Sequence, residues 1–383
     1  MEDDIHISQE FLNQAEEFGY SLTRQFLPEE QMSIKRKRNV ILDQLPPIPE
    51  DELDEFEYEE QTRGRDKTAD KILKRYVRKW EPIEWSEAKV LEYMISRTAP
   101  EYAAVTKIFH EIKKFNPDFS PKSFLSYGNG VGASVWAANN MWSTINEVFC
   151  VDTFRYFNDL AHLLLQDGNK NKSEFIKGVF MRQFLPATHE TKYDVVISPY
   201  SLLSQPSQKA RLELVDSLWK KTSKYLIILD YGSRAGFTAV LEARDYILSL
   251  TDSDSGRVFS PCPHNEPCPK VAASVTKLYT CQFSTKYIQF SGGKDETVRK
   301  EQYTYVVLEK NGGECSGKSW PRNIVEPLLH HHRVTCRTCC PDGTLKELII
   351  TKGRHGTNLY QCAKKAKWGD MIPLNVTEEI HST

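Results

Sequence analysis

Residues 123–142 read SFLSYGNGVGASVWAANNMW. A short apolar run, Ser123 to Tyr127, meets three glycines at alternate positions, Gly128, Gly130 and Gly132. The stretch that follows predicts a helix from Ala133 to about Trp142. Strand, G-x-G-x-G turn and helix, in that order, make a loop for a nucleotide-type cofactor. The glycines let the backbone turn sharply and approach a ligand, and the helix N-terminus offers unpaired N–H groups. Glu147 to Val151 predicts the next strand, with Asp152 at its end, where a carboxylate can accept hydrogen bonds from two ribose hydroxyls. Loop and acid suit S-adenosylmethionine at least as well as NAD.

Strand–helix alternation continues downstream. Phe157 to Leu165 predicts a helix, Tyr193 to Ile197 a strand, Lys209 to Trp219 a helix, and Tyr225 to Asp230 an almost wholly apolar strand of the buried parallel kind. Gln282–Phe290 and Tyr303–Glu309 predict two late strands around Gly292-Gly293. The fold class expected is α/β, a doubly wound sheet. Upstream, Val90, Met94, Tyr102, Val105, Ile108, Phe109 and Ile112 recur at helical spacing. Pro100 predicts a break there into two helices, and Asn116-Pro117 an end to the second. Before about residue 80 the chain is polar and charged. LPPIPEDELDEFEYEE (45–60) reads as a linker, and Glu59–Trp80 as a charged helix. The expected organisation is an N-terminal charged extension over 1–84, an α/β domain with a helical lead-in over 85–310, and a C-terminal segment over 311–383.

Cysteines mark a second site. Cys262, Cys268 and Cys281 lie in the loop PCPHNEPCPKVAASVTKLYTC (261–281), and Cys336, Cys339 and Cys340 in a distant patch. Three thiols in one loop with one from afar can make a four-thiolate cage for zinc or an iron–sulfur cluster. The fourth ligand is open among Cys336, Cys339 and Cys340, and zinc remains an alternative metal. Adjacent cysteines diverge in extended backbone, so Cys339 and Cys340 are not expected to bind one centre together. His264 and the run His330–His332 could also ligate zinc. Cys150 reads as core, Cys362 as packed, and Cys315 carries no strong claim.

With 40% hydrophobic and 11% aromatic residues the 383-residue chain can bury a core. No apolar run approaches the length of a membrane span. The clustered cysteines do not resemble a secreted disulfide framework. The opening MEDDIHISQE is acidic, unlike a signal peptide or an arginine-rich presequence. Lys35–Arg38 is a basic knot, Glu50–Glu60 an acidic run, and Arg63–Lys79 basic again. Arg333 to Lys367 carries eight Lys or Arg against Asp342 and Glu347, which suits an RNA-contacting surface with Tyr360 and Trp368 as stacking aromatics.

FLSYGNGVGASVWAANNMW, FCVD, LIILDYGSRAGFTAVLEAR, CPHNEPCP and CRTCCPDGTLKELIITKGRHGTNLYQCAKKAKWGD, with SRTAPEYAAVTKIFHEI ahead of them, resemble the mitochondrial methyltransferase-like protein 17 family over about residues 85–372. The resemblance implies a class I methyltransferase-like fold and a 4Fe–4S cluster on Cys262, Cys268, Cys281 and Cys339. It also implies a mitochondrial matrix protein that assembles the small ribosomal subunit, contacting its rRNA and ribosomal proteins, monomeric outside the ribosome and away from membranes. Two departures bear on chemistry. Ser126 stands where such enzymes carry a first-strand acid, and Ser198-Pro199-Tyr200 lacks the leading amide or carboxylate of the box that holds a target amine. No catalytic residue is assigned. The two readings are an RNA-contacting ribosome assembly factor stapled by an iron–sulfur cluster and an active S-adenosylmethionine-dependent rRNA methyltransferase.

Overall fold

The computed structural model describes residues 8–49, 54–78, 80–188, 190–251, 255–272, 280–291, 297–310 and 320–374. Gly292-Gly293, Cys315, Lys79 and residues 50–53 of the acidic run lie outside the described residues.

The N-terminal part is helical: α1 (Gln9–Leu22), α2 (Gln31–Gln44), α3 (Glu55–Tyr76) and α4 (Glu87–Phe115). The stretch expected to be a linker already becomes helix at Glu55. Asp54 accepts from the Glu57 backbone N–H at 2.8 Å and Glu57 returns a bond to the Asp54 N–H, a capping box that outweighs repulsion among the acids. α4 is also longer than expected, because Pro100 does not break it. A mid-helix proline costs about 3 kcal/mol. Against that, Ala104, Val105, Ile108, Phe109 and Ile112 on the same helix are fully buried, and burial of each large apolar side chain contributes roughly 1.5–3 kcal/mol.

Beyond α4 the chain alternates as β1 (Ser123–Tyr127), α5 (Ala133–Met141), β2 (Glu147–Val151), α6 (Arg155–Leu165), β3 (Val179–Arg182), β4 (Tyr193–Pro199), α7 (Gln208–Lys220), β5 (Thr222–Tyr231) and α8 (Arg234–Ser249). β1 to β5 are parallel in the order β3-β2-β1-β4-β5. α4 packs against α5 and α6, and α7 against α8; right-handed crossovers put these groups on opposite faces. β6 (Gly256–Ser260), the short α9 (Pro269–Ala272), β7 (Phe283–Gln289) and β8 (Thr297–Lys310) follow. β8 is antiparallel to β5, and pairs with β7 along one half and β6 along the other. The sheet is therefore mixed rather than purely parallel, and its topology is the class I methyltransferase-like one. β3, α8 and β6 are not among the expected elements, although in α8 a Ser233 cap precedes buried Phe237, Val240, Ala243 and Ile247 at helical spacing.

The C-terminal segment makes a second, antiparallel sheet from β9 (Arg322–Asn323), β10 (Leu328–Leu329), β11 (Arg333–Cys339) and β12 (Leu345–Thr351), covered by α10 (Lys352–Lys365). Its small core contains Val334, Cys336, Leu348, Ile350, Ala363 and Ile372. Two expectations are corrected here. Cys362 is exposed on α10 rather than packed. Tyr360 and Trp368 are half-buried against the two cores, because side chains of that size cover apolar surface at this junction, so neither is a free stacking platform.

Candidate cofactor cleft and metal centre

The glycine loop occupies the carboxyl end of β1. Gly128, Gly130 and Gly132 have φ of 70°, 53° and 94°, values that favour glycine. The loop is tied to the second strand: the Gly128 N–H donates to the Val151 carbonyl at 2.8 Å, and the Gly130 N–H to the Asp152 carboxylate at 2.9 Å. The other Asp152 oxygen accepts from the Phe154 N–H at 3.1 Å. Each oxygen keeps a further lone pair for a ligand. Burial raises the Asp152 acid to about 6, against the pull of those two N–H groups. Ser126, at the position of the missing acid, is fully buried and shares a hydrogen bond with Ser134 of α5 at 2.8 Å, so it faces packing rather than ligand.

A cleft of about 350 Å³ opens over this loop, lined by Tyr127, Gly128, Gly130, Asp152, Trp85 and Tyr200 among others. That volume is in the range of small-ligand pockets. A Cβ on Gly128 would stand 2.7 Å from the Ser201 Cβ, and one on Gly130 would stand 3.4 Å from the Tyr93 ring, so the backbone itself forms the floor. Trp85, Tyr93 and Phe157 close one side as an edge-to-face aromatic cluster.

Tyr200, of the Ser198-Pro199-Tyr200 segment, and Tyr231 also line the cleft, held by side chains that belong to no motif in the sequence. Tyr200 has a φ of 51° and lies with its ring 4.6 Å from Tyr231. The Arg97 guanidinium sits over both rings, at 5.4 Å and 4.8 Å, and bonds Glu301 at 2.6 Å and 3.3 Å with both side chains buried. Glu101 accepts from the Tyr93 hydroxyl, and burial raises its acid to about 7. A signal for this network is nevertheless present. Tyr93, Arg97 and Glu101 recur every four residues in phase with Val105 and Ile108, which puts charge on the buried face of α4.

The second site forms where α8, the 261–268 loop and β11 meet. Cys262, Cys268, Cys281 and Cys339 line one cavity of about 50 Å³. Of the three competing thiols, Cys336 belongs to the small C-terminal core and Cys340 is buried beside Thr338. Successive β11 residues point to opposite faces, which puts Cys339 opposite to Cys336 and toward the loop. Among the described residues no group of three or more His, Cys, Asp or Glu side chains is close enough to hold one metal ion. The four thiols ring a cavity instead of meeting at a point. One zinc asks for thiolates converging at about 2.3 Å, whereas a cubane takes each at a separate corner.

The surroundings favour an anionic occupant. Arg244 and Arg322 both line the cavity and are each 3% exposed. Each has an Nε with no hydrogen-bond partner among the described residues, a donor that a sulfur ligand would satisfy. Arg244 also steadies the loop through the Glu266 carbonyl at 2.6 Å, and Arg322 holds the Gly369 carbonyl at 2.7 Å. Burial pushes the Cys281 thiol up to about 12, Lys270 partly opposing it. His264 Nε2 is 3.1 Å from the Cys339 sulfur, while its Nδ1 donates to the Glu266 carbonyl. His330, His331 and His332 are exposed.

Comparison with known proteins agrees with the residues quoted above. Residues 87–373 match the family described as "Mitochondrial small ribosomal subunit Rsm22". The chain is 38% identical over 304 residues to the human mitochondrial "Ribosome assembly protein METTL17", covering 77% of this chain and 65% of that protein. It is 25% identical over 335 residues to the fission yeast mitochondrial "Rsm22-cox11 tandem protein 2", covering 76% of this chain and 44% of that one. The chain thus spans about two thirds of its human relative and under half of the yeast one. Among solved structures, a magnesium protoporphyrin IX methyltransferase from Synechocystis, with bound SAH, matches at 11% identity and a TM-score of 0.36, over 58% of this chain and 87% of that one. At that score the strand order above remains the ground for the fold.

Proposed function

Because the chain belongs to the family of mitochondrial small ribosomal subunit Rsm22 proteins, we propose that it is an assembly factor of the mitochondrial small ribosomal subunit that uses a methyltransferase-like fold for binding. It is a mitochondrial protein, and the matrix, where that subunit matures, is its place of action. The observation that carries binding over methyl transfer is the Arg97–Glu301 pair packed on Tyr200 and Tyr231. The pair is buried and fixes the two tyrosine rings that line the cleft, beside a Ser198-Pro199-Tyr200 segment without an amine-holding group.

On this reading Gly128, Gly130, Gly132 and Asp152 hold S-adenosylmethionine, the carboxylate taking the ribose hydroxyls. Cys262, Cys268, Cys281 and Cys339 hold a 4Fe–4S cluster. Bound there, the cluster would supply a covalent tie between loop 261–281 and β11, with Arg244 and Arg322 balancing its charge. The C-terminal cations meet rRNA: Arg337 and Lys346 are spent on Glu347 and Asp342, leaving Arg333, Lys352, Arg354, Lys364, Lys365 and Lys367 exposed without ion-pair partners among the described residues. The partners are small-subunit rRNA and ribosomal proteins, and the chain is a monomer off the ribosome.

The decisive test separates cofactor use from RNA binding. Replacing Lys364, Lys365 and Lys367 by Ala should flatten the salt dependence of small-subunit rRNA binding, by about 0.7 in the log–log slope for each single-strand phosphate no longer neutralised. Gly130→Arg, which obstructs the cleft, should leave RNA affinity nearly unchanged. If Gly130→Arg folds, keeps its metal and still fails to restore small-subunit assembly in cells lacking the protein, cofactor use is essential and the binding reading is wrong.

The Asp152 acid makes a separate prediction. A carboxyl raised on folding, from about 3.9 to about 6, costs stability as pH climbs between those values, and the full cost remains above the upper one. Its ionised form is the acceptor for ribose, so S-adenosylmethionine should bind about tenfold more weakly at pH 5 than at pH 7.5. Calorimetry giving equal affinities at the two pH values would remove Asp152 from the binding site.

A further inference from the structure

The helical hairpin α2–α3 belongs to neither site and lies outside residues 87–373 of the family match. Its two helices pack mainly on each other. Ile34, Leu73 and Val77, with Phe26 and Ile41, form a small core of their own at its root. Arg38 bonds Asp66 at 2.7 Å and Asp70 at 2.8 Å, and Arg65 bonds the Leu42 carbonyl at 2.7 Å, which fixes the antiparallel register.

That register sorts the charges by sign. Asp66 and Asp70 are the only acids between residues 61 and 78, and Arg38 takes both. Arg63, Lys67, Lys71 and Lys74 are left as an exposed stripe at i, i+4, i+8 and i+11 on α3. It spans about 16 Å at 1.5 Å per residue. Lys35, Arg36 and Lys37 are exposed in the same half of the hairpin, across from Asp66–Leu73. None of these seven cations has an ion-pair partner among the described residues. At the other end Asp54, Glu55, Glu57, Glu59 and Glu60 concentrate negative charge. An ordinary solvated helix mixes signs at i, i+4 because like charges at that spacing weaken it. A stripe of one sign gains its counter-charge from a partner.

The chemistry narrows the partner to a polyanion with regularly spaced charge. The main apolar face of the hairpin is buried between its own helices, with only Met32 and Val40 exposed singly on α2, so little remains to insert into a lipid surface. The stripe carries no aromatic side chain, and exposed Phe56 stands at the acidic end, so no platform stacks unpaired bases. Cations without stacking groups suit the phosphates of a base-paired stem, where bases are not available.

We infer that the α2–α3 hairpin is a second RNA-contacting element that holds the backbone of a double-stranded stem through Arg63, Lys67, Lys71 and Lys74. The inference rests on the reading of this chain as an rRNA-binding protein, and adds a footprint remote in sequence from the C-terminal one.

The test uses the full chain and fluorescence anisotropy over a salt series. The probes are an RNA stem of about 16 base pairs, an unpaired strand of the same length, and vesicles of anionic phospholipid. Lys67→Ala, Lys71→Ala and Lys74→Ala together should lower the log–log salt slope for the stem by about 2–3, close to 0.9 for each phosphate released. The loss should be much smaller for the unpaired strand. Alanine is a stronger helix former than lysine, so an unchanged circular dichroism spectrum is expected and confirms that the hairpin is intact. The inference is overturned if the stem slope is unchanged while the Lys364, Lys365 and Lys367 variant loses RNA. It is equally overturned if the hairpin variant loses only vesicle binding, or loses strand and stem alike. A wild-type chain that binds no RNA at all would instead remove the proposed function.

Discussion

Anaerobically purified protein is expected to contain roughly four irons per chain with broad absorbance near ~400 nm, and Cys281→Ser or Cys339→Ser to abolish both. The effect on stability should be as large as that on colour. Cys262, Cys268 and Cys281 line this cavity together with Cys339 of β11, and the surrounding Arg244 and Arg322 each keep an Nε without a partner among the described residues. Binding energy at a structural thiolate site is folding energy, on the order of 10 kcal/mol. Even half of it corresponds to a melting-temperature fall of about 10–20 °C for a chain of this kind. Cys340→Ser is the control, since Cys340 is buried beside Thr338 and not on the cavity: it should keep its iron. Stoichiometric zinc without iron in the wild type, or full iron in Cys339→Ser, would contradict the assignment.

The second large effect belongs to Arg97. Changing it to Met leaves Glu301 buried without its cation. Breaking a buried pair from one side costs about 3–5 kcal/mol, whereas replacing both partners is close to neutral. Arg97→Met should therefore lower the melting temperature by roughly 10 °C, and Arg97→Met with Glu301→Gln should restore most of it. The loss should also be smaller at pH 6 than at pH 8. Burial already raises the Glu101 acid to about 7, and the Arg97 charge opposes that rise. A raised carboxyl costs stability when ionised, above its folded value, so removing the cation increases the cost at high pH and protonation relieves it. Equal melting temperatures for the single and double variants at both pH values would show that the pair is not coupled.

The parts of the fold legible in the sequence are those set by local pattern. β1 and β2 fall at the expected residues, α5 within a residue, and β5 with a few added, because an apolar strand or a G-x-G-x-G turn carries its own stereochemistry. That Cys262, Cys268 and Cys281 belong together was legible for the same reason: all three lie in one proline-stiffened stretch, and they line one cavity. β3 was not legible, since Val179–Arg182 is four residues with Phe180 half-exposed, and its strand character comes from pairing with β2. Pro100 misled because an intrinsic helix penalty is local, whereas the apolar face that overrides it gains its energy only when α4 is packed.

Charge placement was the other limit. Residues alone gave Lys35–Arg38 and Arg63–Lys79 as separate runs and left Arg97, Glu101, Glu301, Arg244 and Arg322 unassigned. Whether a charge is solvated, paired or stranded depends on what lies within a few ångströms, and the partners of Arg97 and Arg322 are 204 and 211 residues away. The sequence by itself determined the α/β class, the glycine loop with Asp152 at the end of the next strand, the family resemblance and the clustering of the cysteines. Only the tertiary structure decided that Cys339 faces the shared cavity while Cys336 enters a core, and that Arg97 packs on the cleft tyrosines Tyr200 and Tyr231. The reason is physical: a glycine turn or an apolar strand is specified by short-range sterics and burial, whereas ligand convergence and desolvated charge are properties of distances that exist only once the chain has closed.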